Sequence, residues 1–140
     1  MEKLNADTVR RYFAACQSGV YTDLVATFDP DVIHYFLPRN LPPIRGAGAL
    51  ATFLIKYKQL LDPLWHIDHL LALGDEVVIE WACVYTSRVS QERTMNRGTE
   101  WYVIRDGKIV EIRAYTIADP KEDVFLAEFP YEKRGYFVSA

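Results

Sequence analysis

"RGTEWYVIRDGKIVEIRAYT", residues 97–116, places two runs of β-forming residues on either side of Asp106-Gly107, the pattern of a hairpin. Glu100, Glu111 and Arg113 stand among its aliphatic and aromatic residues, and a carboxylate desolvated in such company is costly unless it is paired or used. Two turns fit the sequence. A two-residue loop at Asp106-Gly107 pairs Arg105 with Lys108 and sets Glu100 opposite Arg113, an exposed cross-strand pair worth about 0.2–1 kcal/mol. A three-residue loop ending in a left-handed Gly107, a type I turn with a bulge, pairs Ile104 with Lys108. Glu100 then lies opposite Ile112, on one face with Ala114 and Thr116. One residue of slip turns the whole strand over. In the second register burial raises the carboxyl pKa and fits Glu100 for acid, base or donor chemistry. The residues alone leave both registers open.

Upstream, "WHIDHLLAL" and "EVVIEWACVYTS" read as two further strands, joined by a two-residue turn at Gly74-Asp75. That turn pairs Leu73 with Glu76, His69 with Glu80 and Asp68 with Trp81. Val77, Ile79, Trp81 and Cys83 form the apolar face, and His66 and Asp68 are expected to look the same way, with His69 and Glu80 a surface pair. Before residue 63 the pattern is helical. Asp7 is expected to cap a helix carrying Val9, Tyr12, Phe13, Cys16 and Val20, and Thr22 a short one stopped by Pro30. "VIHYF", residues 32–36, is a short strand, "LPRNLPPIRG" a loop, and "AGALATFLIKYKQLL" a third helix. Helices followed by a meander of strands predict an α+β domain. The segment from about residue 118, rich in aromatics, is expected to pack over the sheet, a pocket mouth or a partner chain.

The chain has 140 residues, half of them apolar, and a net charge of −3, enough for one domain with a real core. No Lys/Arg cluster offers nucleic acid a basic face. No apolar run reaches membrane-spanning length, and "MEKLNADTVRRYF" has no apolar signal-peptide core, so a cytoplasmic protein is expected. Cys16 and Cys83 fit no metal spacing and read as reduced packing residues. Gathering His34, His66 and Asp68 or Glu100 around a metal is not demanded by their spacing; neither metal nor cofactor is expected.

"RRYFAACQSGVYTDLVATFDPDVIHYF", "PPIRGAGALATFL" and "RDGKIVEIRAY" resemble, in order and wording, the NTF2-like superfamily, and within it the SnoaL-like and ketosteroid isomerase-like proteins. The resemblance implies a single domain over residues 1–140, a curved antiparallel sheet wrapped by three helices around an apolar, cone-shaped pocket, and dimerisation through the sheet's outer face. It puts the isomerase oxyanion tyrosine on Tyr12 and the protonated oxyanion donor on Glu100, which favours the bulged register. The isomerase base falls on Phe36, which moves no proton; His34, two residues earlier on the same strand face, is the substitute. The acids of the limonene epoxide hydrolase branch fall on Ala114 and near Cys83, where that chemistry is impossible.

The resulting expectation is a homodimeric pocket protein for a small hydrophobic molecule. In one form it is a cofactor-independent isomerase, cyclase or lyase with His34, Tyr12 and Glu100 catalytic. Phe36, His66, Asp68, Trp81, Cys83, Ala114 and Thr116 would line the ligand. The alternative is a binding module without chemistry, or a dimerisation domain.

Overall fold

A computed structural model describes residues 1–37, 41–117 and 127–133. Three helices, α1 (Glu2–Ser18), α2 (Tyr21–Thr27) and α3 (Ala47–Leu61), accompany six strands. The strands are β1 (Phe28–Leu37), β2 (Ile44–Arg45), β3 (Leu64–Leu73), β4 (Glu76–Thr86), β5 (Arg93–Arg105) and β6 (Lys108–Thr116), in sheet order β2-β1-β6-β5-β4-β3. The expected α+β cone is present, with one change: the sheet is mixed, because β1 runs parallel to β6 while the other neighbours are antiparallel.

The central hairpin takes neither anticipated form. Asp106 and Gly107 both have positive φ, 50° and 71°, so the turn is the two-residue kind that matches strand twist, and Arg105 pairs with Lys108. The bulge lies one step further on. Ile104 pairs with Ile109 but Val103 pairs with Glu111, leaving Val110 as the extra residue. The register is thereby shifted so that Glu100 lies opposite Ala114, Tyr102 opposite Ile112 and Trp101 opposite Arg113. The expected facing of Glu100, with Ala114 and Thr116 and away from Arg113, is observed; its expected partner and the place of the bulge are corrected. The apolar residues decide this, since Ile104, Ile109 and Ile112 are all essentially buried and only an extra residue lets both isoleucines of β6 face the core.

A second bulge corrects the β3 expectation. Ile67 pairs with Trp81 and His69 with Glu80, so Asp68 is unpaired in the ladder. Trp65, Ile67, Leu70 and Ala72 pack on the core, which turns His66 to the outer face with Ala82. The Arg97 guanidinium donates to Glu80 at 2.6 Å and forms an ion pair with Asp68 at 2.7 Å. The helix starts differ as well: α1 begins at Glu2 without Asp7 as its cap, and α2 follows Val20, while Asp7 instead pairs with Arg10. Pro30 falls inside β1, where pairing with β6 is irregular between Phe28 and Ile33, as a residue without an N–H requires.

The inner face of the sheet packs against α1 and α3. Val9, Tyr12 and Cys16 of α1 join Leu50 and Leu54 of α3 over Val77, Ile79, Trp81, Tyr102, Ile104, Ile109 and Ile112. Two buried polar residues fix α1 in place: Asn5 donates to Gly74 O at 2.9 Å and Thr8 to Gly107 O at 3.3 Å, so one helix holds both hairpin turns. On the outer face Phe129 meets the Tyr35 ring at 5.2 Å and lies within 5.9 Å of the Arg113 guanidinium. The described part of the C-terminal segment thus packs over the sheet; residues 118–126 and 134–140 lie outside the described residues.

Among the described glycines, Gly98 is the most closely packed. A Cβ there would come within 2.3 Å of Tyr115 O and 2.6 Å of Trp81 Cζ2, and the backbone oxygen has nowhere to retreat. Gly98→Ala is expected to cost about 2 kcal/mol or more and to lower Tm by at least about 4 °C; a thermal melt within a degree of wild type would contradict the close approach.

Candidate functional site

The register places one line of polar side chains on the inner face. Moving across the strands, Phe36, Ala114, Glu100, Ile79 and Leu70 are successive partners, and the neighbouring row is His34, Ile112, Tyr102, Val77 and Ala72. Paired residues share a face, so His34, Phe36, Glu100, Trp81, Cys83, Ala114 and Thr116 all look inward. Tyr12 reaches the same region from α1, its ring 5.8 Å from that of Tyr102. His66 and Asp68 do not join them; they line a separate groove of about 580 Å³ between α1 and β3, with Arg10, Phe13, Gln17 and Trp65.

Glu100 is the polar centre of this cluster. Burial pushes its carboxyl up to about 7, against a partial lowering by the Tyr102 hydroxyl, which donates to Glu100 Oε2. Burial and the neighbouring carboxylate also hold the Tyr12 and Tyr102 hydroxyls well above their ordinary range, and keep the Cys16 thiol protonated. Cys83 is held up to about 11 by its burial. The two arginines closest in register point the other way. Arg113 pairs with Glu111 and lies 5.7 Å from the Trp101 ring centre; Arg97 holds Asp68 and Glu80. Desolvation of Glu100 is therefore not offset by either cation, which is what leaves it balanced between acid and base near neutrality.

His34 has the opposite character. It is 3% exposed, stacks on Phe36 at 4.1 Å between ring centres, and burial drives its imidazole down to about 3. A neutral imidazole of so low a pKa is a weak proton acceptor but a sound hydrogen-bonding group. From Phe36 an aromatic chain continues through Phe53, Tyr57 and Trp65 at centroid spacings of 5.5, 6.3 and 5.7 Å. These four side chains are only partly covered, and they make an aromatic wall running from β1 over α3 to β3. Sequence reading passed over Tyr102 as a partner for Glu100. The signal was present: residues two apart on a strand share a face in any register. Among the described residues no group of His, Cys, Asp and Glu is arranged to hold a metal ion.

The two inward titrating groups carry opposite pH dependences. Glu100 keeps its proton to about 7 in the folded chain against an ordinary value of 4.5, so between these values the folded state binds the extra proton and stability falls as pH rises. His34 loses its proton at about 3 when folded against an ordinary value of 6.5, so in that interval the unfolded chain binds the extra proton and stability rises with pH. Each slope is about 1.4 kcal/mol per pH unit, and where the intervals overlap they cancel. Glu100→Gln is expected to leave a contribution that rises with pH through the overlap, and His34→Gln one that falls. Urea denaturation across mildly acidic pH reads this out; parallel profiles for wild type and Glu100→Gln would contradict the raised carboxyl.

Comparison with known proteins agrees with the architecture. The chain is similar over its whole length to a protein of unknown function with a cystatin-like fold from Methylobium petroleophilum PM1, with 26% identity, 95% of that chain covered and a TM-score of 0.83. An NTF2-like protein from Burkholderia xenovorans LB400 shares 19% identity over 84% of this chain and 92% of its own, at a TM-score of 0.71. An LEH-like epoxide hydrolase from M. tuberculosis shares 19% identity over 83% of this chain and 84% of its own, also at 0.71. No curated protein matches the sequence. The SnoaL-like domain family matches residues 9–112, from the first turns of α1 to the β6 strand that carries Ile112, and the chain belongs to that family.

Proposed function

We propose that this SnoaL-like chain is a single-domain, cofactor-independent enzyme that binds a small, largely apolar molecule against the inner face of the sheet and moves a proton on it. The observation that carries the reading is the inward Glu100, desolvated, hydrogen-bonded by Tyr102 and held near neutral pKa. A group poised near the working pH is the efficient general acid or base. Glu100 therefore takes the proton-transfer role. Tyr102 orients it, Tyr12 is a second neutral donor, and His34 is a neutral hydrogen-bonding group beside Phe36. Phe36, Ala114, Thr116, Trp81 and Cys83 supply the lining. A non-catalytic binder for a hydrophobic metabolite is the second reading, favoured by the apolar Phe36 and Ala114 where relatives of this fold family carry acids.

Exchange of the α-hydrogens of α-tetralone into deuterated buffer, followed by proton NMR, tests the first reading. Wild type is expected to accelerate exchange with an ionisation near 7, and Glu100→Gln to lose about 10²–10⁴-fold. Tyr102→Phe is expected to raise that ionisation, because the hydroxyl stabilises the carboxylate. Exchange at the buffer rate despite binding would assign the protein to the second reading.

A cytoplasmic homodimer completes the proposal. Among the described residues no helix is long and apolar enough to cross a membrane. The outer face carries the row Leu71, Val78, Trp101, Arg113 and Tyr35, in which Leu71 is 59% and Trp101 37% exposed. Such a row gains by being covered. Trp101→Glu is expected to convert a dimer to a monomer in sedimentation velocity; an unchanged sedimentation coefficient for the variant, or a monomeric wild type, would exclude this interface.

A further inference from the structure

Two buried polar atoms of inward-facing residues, His34 Nδ1 and Trp81 Nε1, have no hydrogen-bond partner among the described residues. The indole is the more informative, because an indole N–H donates and never accepts. Trp81 is 7% exposed, and an unmade hydrogen bond at that depth is costly. Its position is fixed by Gly98, its partner on β5. A Cβ on Gly98 would lie 2.6 Å from Trp81 Cζ2 and 3.0 Å from Cε2, the ring carbon that bears Nε1. The Cε2–Cζ2 edge of the indole thus lies over Gly98, with Nε1 bonded to Cε2, on the face that carries Glu100 two residues further along the same strand. Sheet spacings put the Trp81 and Glu100 backbones roughly 8 Å apart. The absence of a side chain at residue 98 is what admits the indole edge there.

We infer that Trp81 is a specificity-determining residue whose Nε1–H donates to the carbonyl oxygen of a neutral ketone or ester held beside Glu100. This rests on the proposed reading that a small molecule occupies the inner face. The donor requires an acceptor atom. Charge disfavours a carboxylate or phosphate ligand: Glu100 carries negative charge above its ionisation, while Arg97 and Arg113 are engaged on the outer face. A carbonyl also suits the chemistry. As the Glu100 carboxylate takes a proton from the α-carbon, the C–H electron pair moves into the new C=C bond and the carbonyl π pair moves onto oxygen. The oxygen that accepts from the indole N–H is the one that gains charge, and return of the proton to carbon restores the pair. A fixed neutral donor at that oxygen gains strength as the charge develops.

The test reads binding rather than turnover. The chain has three tryptophans, so the indole region of a proton–nitrogen correlation spectrum holds three N–H signals, and loss of one in Trp81→Phe assigns Trp81. The probes are α-tetralone, tetralin of the same shape without the oxygen, and the corresponding tetralin carboxylate. α-Tetralone is expected to move the Trp81 indole proton downfield and tetralin to leave it in place. Above the Glu100 ionisation the carboxylate is expected to bind at least about tenfold more weakly than the ketone. Replacing Trp81 by 3-benzothienylalanine keeps the bicyclic shape and removes the N–H; it is expected to weaken α-tetralone about tenfold and tetralin not at all. An indole proton already at its hydrogen-bonded position without ligand and unmoved by it, identifying a bound water as the partner, would overturn the inference. So would no shift at saturating α-tetralone, or unchanged affinity in the benzothienyl protein. A Trp81 shift that persists in a protein showing no hydrogen exchange would leave the donor role standing and remove only the catalytic reading.

Discussion

One extra residue in β6, Val110, decides which β6 side chain meets Glu100 across the central hairpin. Without it the two-residue turn would carry Glu100 opposite Arg113. With it, Glu100 meets Ala114 and the guanidinium passes to the other side. The energetic reason is apolar: Ile104, Ile109 and Ile112 are each buried to within 2% of full coverage, and burying three such side chains outweighs the local loss of ladder hydrogen bonds at a bulge. The carboxylate is carried inward as a consequence of where the isoleucines go. Its desolvation is a cost met by the rest of the core.

That arrangement sorts charge by face. Arg113 with Glu111, and Arg97 with Asp68 and Glu80, lie on the convex side, whereas Glu100, the two tyrosines Tyr12 and Tyr102 and the neutral His34 lie on the concave one. The Arg97 pairs stand at partly exposed positions, where ion pairs contribute little to stability, whereas Arg113 and Glu111 are largely covered. The larger effect of both sets here is to keep counter-charge away from the inner face, so that a lone carboxyl there titrates near neutrality.

Much of this was legible in the residues. The order of helices and strands, the α3 boundaries, the Gly74-Asp75 turn with His69 opposite Glu80, and the inward facing of Trp81 follow from periodicity and turn chemistry. The inward facing of Glu100 with Ala114 came only from the family resemblance, because the residues alone left two registers open. Neither bulge was placed, since the hairpin's was expected at Gly107 and none was expected in β3, although each left the same mark. In β6 the inward isoleucines Ile109 and Ile112 are three apart, and in β3 the inward Ile67 and Leu70 are three apart, where a regular strand steps by two. A strict alternation imposed on "WHIDHLLAL" turned His66 and Asp68 inward, and the bulge turns them out. The parallel pairing of β1 with β6 had no local signal, since it depends on how α3 and the strands return the chain across the sheet. The first helix was likewise misjudged at its start, because its fixing groups, Asn5 and Thr8, bond to turns far along the chain.

Those two hydrogen bonds span 69 and 99 positions of sequence. They are contacts of high sequence separation, the kind that slows folding because a long loop must close before they form. During synthesis α1 emerges first, yet the turn at Gly107 that Thr8 bonds is made only after five of the six strands. The helix that covers the concave face therefore has no complete docking site until the last hairpin exists. Until then the apolar side of each new strand faces solvent, and sealing of the interior falls at the end of folding, set by a threonine and an asparagine near the start of the chain.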